Sequence, residues 1–257
     1  METHRPLPRS VLLALWLAQP PRTRSQARHA MAAIQGDDEP HVVEGLTPQP
    51  TGLDQLLTGL GELREVAAVL PVPGDLGVPP DVAALAADAG ECVLALGEDG
   101  GWAVVPEIEE FGSLGDQGHL VTWRLRALPS GRRSLVGAFG TLGEAQADLR
   151  ATLRQAVTAL DDLDVARWRP EAAEALAQLR SAPGLTDLPP VDQRCLSTLL
   201  EAARLQMIVE LATSDEGGAV NVWQADQRAT ALREVGRAAR RAVAAATLAA
   251  SQPSTDR

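Results

Sequence analysis

Lysine and tyrosine are absent from the 257 residues, and every one of the 23 basic side chains is arginine. Without lysine there is no Walker-type lysine on a nucleotide phosphate and no kinase third-strand lysine. Schiff-base chemistry and serine–lysine acylation are excluded on the same ground. Without tyrosine no phenol serves as a general acid. There are two cysteines, Cys92 and Cys195, and neither belongs to a CxxC, so zinc-finger, ribbon and thioredoxin-type readings fail. They read as two reduced, buried thiols of a cytosolic protein. The four histidines, His4, His29, His41 and His119, form no HExxH or other close ligand spacing, and no metal or other cofactor is expected. No serine lies in GxSxG; Gly112-Ser113-Leu114-Gly115 only approaches it. The longest apolar run, Val11 to Ala18, is too short to span a bilayer. Arg5 and Arg9 precede it, and Pro20, Pro21, Arg22 and Arg24 follow without a small-x-small cleavage site. It reads as a buried helix around Trp16 rather than a secretion signal.

What is present is enough apolar chain, 45% of residues, to build a large core. The net charge of −11 is unevenly spread. Residues 1–32 carry five arginines against Glu2, and residues 221–257 carry six against three acids. Residues 33–131 carry 17 acids against Arg64, Arg124 and Arg126. Basic ends around an acidic middle fit either a partner or ends that fold back on the middle, and the second is expected.

Periodicity predicts an α+β fold: a mixed sheet ending in an antiparallel meander, followed by a C-terminal helical bundle. Residues 1–140 form the sheet region with N-terminal helices, 141–250 a four-helix region, and 251–257 a disordered tail. Leu12–Leu17 reads as one helix. Thr23 and Gln26 form a capping-box pair that opens a second helix, which Gly36 ends. His41-Val42-Val43 is a short strand, Leu53–Leu63 a helix, and Glu65–Leu70 a strand. Asp81 is expected to cap a helix over Val82–Ala89 that Gly90 stops. Cys92–Leu96 and Trp102–Ile108 flank an Asp-Gly turn, the signal of a hairpin. Val121, Trp123, Leu125 and Ala127 alternate with polar residues, as in a half-buried strand. Ser134–Phe139 is read as the last strand. From Thr141, which forms a capping box with Glu144, the period becomes helical. The stripes are Leu149, Leu153, Val157 and Leu160; then Leu196, Leu199, Leu200, Ala203, Met207 and Leu211; then Leu232, Val235, Ala239, Val243 and Ala246. A further helix is expected from Pro170.

Four features are candidate sites. The turn Gly137 to Gly143, where Gly140 and Thr141 precede a helix N-terminus, presents backbone N–H groups suited to an anion, or else is a junction where glycine permits tight packing. Asp75, in Pro71-Val72-Pro73-Gly74-Asp75 at a strand end, could orient a ligand there. Asp37-Asp38-Glu39 with His41, and Glu107, Glu109 and Glu110, are oxygen-rich but match no EF-hand loop, and read as solvated loop and strand ends. Glu107 and Glu109 should share one strand face and Glu110 point elsewhere. Arg228, Arg233, Arg237, Arg240 and Arg241 share a helix side, and are expected to serve ion pairing rather than nucleic acid.

Gly36-Asp37-Asp38-Glu39-Pro40-His41, Leu70–Asp75, Ala166-Arg167-Trp168-Arg169-Pro170-Glu171 and Gly217-Gly218-Ala219-Val220 resemble stretches of an uncharacterised actinobacterial protein family. The resemblance implies a bacterial, cytoplasmic setting and carries over no site. The function expected is that of a non-catalytic interaction or regulatory protein with a protein partner or self-association, and without nucleic acid or membrane. The alternative is a small-molecule or anion site at Asp75, Gly137, Gly140 and Thr141, between the sheet and the helices.

Overall fold

A computed structural model describes residues 7–73, 77–98, 100–113, 116–129, 134–161, 188–213 and 222–252. The elements in order are α1 (Arg9–Ala18), α2 (Arg24–Gln35), β1 (Val42–Glu44), β2 (Thr51–Gly52), α3 (Leu53–Gly59), β3 (Leu63–Val69), α4 (Pro80–Ala89) and β4 (Cys92–Gly97). There follow β5 (Gly101–Ser113), β6 (Asp116–Leu128), α5 (Leu135–Phe139), α6 (Leu142–Asp161), α7 (Gln193–Thr213) and α8 (Val222–Ser251). The architecture is α+β. Six strands form one sheet in the order β2-β1-β6-β5-β4-β3. β1 runs parallel to β6, and every other pairing is antiparallel, so β3 to β6 are the meander.

Local chemistry explains most of the helix ends. Thr23 caps α2 by accepting from the Gln26 amide, and Gln26 reaches back to the Arg22 amide, one residue earlier than a standard capping box. Gly36, at φ 56°, and Gly90, at φ 71°, end α2 and α4 in the left-handed region that glycine adopts cheaply. Asp81 does not cap α4. Pro79 holds that position and Pro80 opens the helix, where a missing N–H costs nothing, so Asp81 falls inside the first turn. α3 stops at Gly59, and Leu63 belongs to β3 instead.

Two apolar layers lie on the two faces of the sheet. One joins Val66, Ala68, Val93, Ala95, Val104, Val121, Trp123 and Leu125 to α1, α2 and α3, and continues into α6, α7 and α8. The other joins Ala67, Val69, Leu94, Leu96, Ala103 and Val105 to α4 and α5. The apolar run Val11–Ala18 forms most of α1, buried on almost every side at Val11, Leu13, Ala14, Leu15, Trp16 and Leu17. α8 contributes to both layers because it runs along the sheet's outer strand, β3. Its small side chains from Ala242 to Ala246 let it approach closely. There Thr247 Oγ1 accepts from the Ala68 amide at 2.9 Å, and Ser251 Oγ from the Val66 amide at 3.1 Å. The edge strand's outward amides are thus satisfied by a helix rather than left as a template for another chain. At the opposite edge β2 is only two residues long, a second device to the same end.

Several expectations change. Ser134–Phe139 is the short helix α5, not a strand. Ser134 caps it by accepting from the Val136 amide, and the Glu65 carboxylate of β3 accepts from the Leu135 amide and the Ser134 hydroxyl. The meander therefore ends at β6. Ala127 is exposed and Leu128 buried, so the alternation of β6 breaks at its last residues. On α6 the buried line runs through Ala145, Leu149, Thr152 and Ala156, leaving Val157 exposed. On α7 Leu199 is fully buried, while Leu200 is half-buried and Leu211 exposed. The helix expected from Pro170, the tail beyond 252 and Leu160's side chain lie outside the described residues.

Candidate functional site

β5 and β6 are 13 residues each, longer than their neighbours can support. β4 pairs with β5 only at Gly101–Val104, and β1 with β6 only at Thr122–Arg124. From Glu109↔Leu120 to Ser113↔Asp116 the two strands pair, among the described residues, with each other alone, as a projecting ribbon. The face continuous with Ala103 and Val105 carries Glu107, Glu109 and Phe111 on β5, and Arg124, Thr122 and Leu120 on β6, because cross-strand partners share a side. Val42 and Glu44 of β1 join this face through their partners Thr122 and Arg124. α4 and α5 cover its base but not its outer part. There Val42, Phe111 and Leu120 are 38%, 43% and 46% exposed. Arg124 is held between Glu107 and Glu44. The hydrogen bond to Glu107, followed by the charges of Glu107 and Glu44, keeps its guanidinium pKa above the ordinary value. The Phe111 ring lies over Gly118, whose missing Cβ leaves it room. Glu110 points to the other face, as the strand period requires.

The ribbon is anchored by a buried polar cluster. Asp38 is not solvated: its side chain is 3% exposed and accepts from Arg9 Nε and Nη2, both at 2.7 Å, in a bidentate pair. His41 Nε2 lies 3.0 Å from the same carboxylate, and the Trp123 indole N–H donates to His41 Nδ1 at 3.1 Å. An indole nitrogen only donates, so Nδ1 is the acceptor and Nε2 carries the proton that His41 gives to Asp38. His119 Nδ1 approaches Asp38 at 3.4 Å, and its Nε2 is 4.0 Å from Glu110. The Glu39 amide donates to the His119 carbonyl. The cluster ties α1, the turn after α2, β1 and the start of the ribbon into one unit. It also joins a basic N-terminal residue to the acidic middle, as the charge pattern anticipates. Among the described residues no group of three or more His, Cys, Asp or Glu side chains is arranged to hold a metal ion.

The turn expected to receive an anion runs from α5 into the start of α6. Gly137 lies inside α5, exposed, with nothing near its Cβ position. Gly140, at φ 78°, is beside Glu144 Oε2 and Arg241 Nη2. Thr141 forms the expected capping box with Glu144: the Thr141 amide donates to Oε2 at 2.8 Å, and the Glu144 amide to Thr141 Oγ1 at 3.3 Å. The bond from the Thr141 amide, then that from its hydroxyl, holds the Glu144 carboxyl below the ordinary range. Arg241 Nε donates to the Phe139 carbonyl at 3.1 Å, so the turn is fastened to α8. Asp75 lies outside the described residues. A hollow of about 780 Å³ opens elsewhere, between the end of α1, the end of α3 and the β4–β5 turn. Its charged lining, Glu62, Arg64 and Glu98, is exposed, and Arg64 is paired with Glu98.

The arginines of α8 are largely engaged within the molecule. Arg237 bonds Glu234, Arg241 faces Asp148 at 3.9 Å, Arg228 donates to the Ala212 carbonyl and Arg233 to Thr230.

Residues 10–136 match the model of the Rv1486c-like protein, N-terminal domain, and residues 143–244 that of the Rv1486c-like protein, C-terminal domain. The chain belongs to the Rv1486c-like protein family. The two matched segments are separated by residues 137–142, which run from inside α5 to the start of α6. No curated protein and no solved structure matches the chain.

The sequence marks out Glu107, Glu109 and Glu110 but not Phe111, which follows them, or Leu120 across the ribbon. Phe111 and Leu120 stand beside glycines and polar residues in a stretch with no clean alternation. The signal available is the length of the polar, strand-compatible stretch on either side of Leu114-Gly115 in the sequence.

Proposed function

We propose that this is a non-catalytic interaction protein that presents the outer face of the β5–β6 ribbon to a protein partner. The observation that carries the reading is the clustering of Val42, Phe111 and Leu120, each more than a third exposed, on one uncovered sheet face. Single exposed apolar residues need no explanation, whereas a contiguous group on a projecting element is where partners bind. The buried Arg9–Asp38–His41–Trp123 cluster holds the base of that element in place, which lowers the ordering cost of association. No helix among the described residues is long and apolar enough to cross a membrane. A cytoplasmic setting is part of the proposal, supported by Cys92 and Cys195 being free, buried thiols. The acidic charge of the ribbon face argues against nucleic acid as the partner.

The test is a photo-crosslinking amino acid placed at position 111, and at Val157 on α6 as a control, in the producing cell. A discrete protein adduct at 111 that is missing at 157 is expected. Identical patterns at the two positions would refute the reading.

A further inference from the structure

The hollow of about 780 Å³ lies at the start of β5, at the opposite end of that strand from the ribbon tip. Small residues leave room for it. Trp102 has an alanine on either side in its row across the sheet, Ala95 on β4 and Ala127 on β6, and the adjoining chain is Gly97, Gly100 and Gly101. A Cβ at Gly97 would meet the Glu62 carbonyl oxygen at 2.7 Å, so this stretch of floor stays bare backbone. Leu17, Leu57, Leu60 and Leu63 line the hollow as well, and Trp102 is half-buried. The volume and the apolar, aromatic walls are those of a small-molecule site.

The surroundings set the sign of the ligand's charge. Among the described residues three charged side chains line the hollow: Glu62, Arg64 and Glu98. Arg64 and Glu98 pair with each other, which leaves Glu62 as the net charge. Two helices also end here. Leu17 and Ala18 are the last residues of α1, Leu60 directly follows α3, and neither helix has a basic residue in its last turn. Helix C-termini carry unpaired carbonyls and partial negative charge, so they favour a cation. We infer that the hollow binds a small organic cation, an amine with an aromatic or branched apolar body. The body packs on Trp102 and the leucines, and the ammonium group sits toward Glu62 and the two helix ends. The face of an indole adds its own attraction for a cation. An anion of the same shape is repelled on all these counts, and an uncharged one forgoes the attraction.

The full chain is titrated into dansylcadaverine, an apolar fluorophore carrying a primary amine, and the rise and blue shift of its emission are followed. Its N-acetylated, uncharged counterpart and a dansyl probe ending in a carboxylate are the comparisons. Saturable binding of the amine is expected, about fivefold or more tighter than that of the acetylated probe, with the carboxylate weakest. Glu62→Gln, at an exposed position, should cut the preference for the amine over the acetylated probe to about twofold or less. Ala127→Phe, also at an exposed position, fills the hollow and should weaken the amine about tenfold or more with an unchanged circular dichroism spectrum. Val157→Ser, which does not line the hollow, should leave binding unaltered. No saturable binding of the amine, or equal binding of the amine and the acetylated probe, overturns the inference. So does a preference untouched by Glu62→Gln, or binding indifferent to Ala127→Phe.

Discussion

The hydroxyl of Thr247 accepts a hydrogen bond from the Ala68 amide, 179 positions away, at 2.9 Å, while donating to the Val243 and Ala244 carbonyls of its own helix. One buried side chain thereby serves as the missing neighbour of an edge strand. Thr247→Val keeps the shape and removes the acceptor, which leaves a buried amide unmet. The expected loss is about 1–3 kcal/mol by urea denaturation, with Thr247→Ser recovering part of it. A loss below about 0.5 kcal/mol would show that the contact does not seal the edge.

Asp38→Asn should be among the most damaging single changes. Arg9 and Asp38 are 12% and 3% exposed at their side chains, so removing the charge of one strands the other. The expected cost is roughly 3–5 kcal/mol, and it should persist at high salt because the pair is shielded from solvent. Asp37→Asn, on the exposed neighbour, should change stability little. A similar response from the two variants would count against the buried cluster.

The alkaline limb of the stability curve should be governed by thiols. Burial pushes the Cys92 thiol up to about 12, and burial also raises that of Cys195. Above the ordinary thiol range the unfolded chain has lost protons that the folded chain retains, so stability falls as pH rises from about 9 toward 12. With no lysine or tyrosine present, no other side chain titrates in that window. Each thiol contributes a slope of up to about 1.4 kcal/mol per pH unit. Urea midpoints measured from pH 8 upward should show a shallower slope in Cys92→Ala than in the parent. An identical slope would contradict the burial of this thiol.

On α7 the packing separates two adjacent leucines. Leu199→Ala should cost roughly 2–5 kcal/mol and Leu200→Ala clearly less, since only the first is fully buried. Equal losses would mean that the helix is rotated from the position described.

Elements governed by local chemistry were readable in advance. Thr23 and Gln26, Gly36, Gly90 and the Thr141–Glu144 box mark helix ends through bonds spanning a few residues. Elements set at long range were not. The segment Ser134–Phe139 has apolar residues suited to a strand, yet the Glu65 carboxylate on β3 stabilises it as a helix. Asp38 looks like one of three consecutive surface acids, and only the arrival of Arg9 from 29 positions upstream buries it. Of the sites foreseen, Glu107 and Glu109 lie on the candidate surface and Glu110 on its reverse, while nothing local in the sequence sets Phe111 and Leu120 apart. Thr247 and Ser251 sit in an alanine-rich helix where hydroxyls carry no hint of a distant partner.

The sealing of β3 by α8 also has a consequence for biosynthesis. Val66 and Ala68 leave the ribosome long before Ser251 and Thr247 are translated, 185 and 179 positions later. Throughout that interval α1 can cover one face of β3, but the outward amides of Val66 and Ala68 lack the hydroxyls that α8 brings. The protein becomes safe from strand-to-strand association only with its final helix, so premature termination in α8 should yield insoluble product rather than a merely weakened fold.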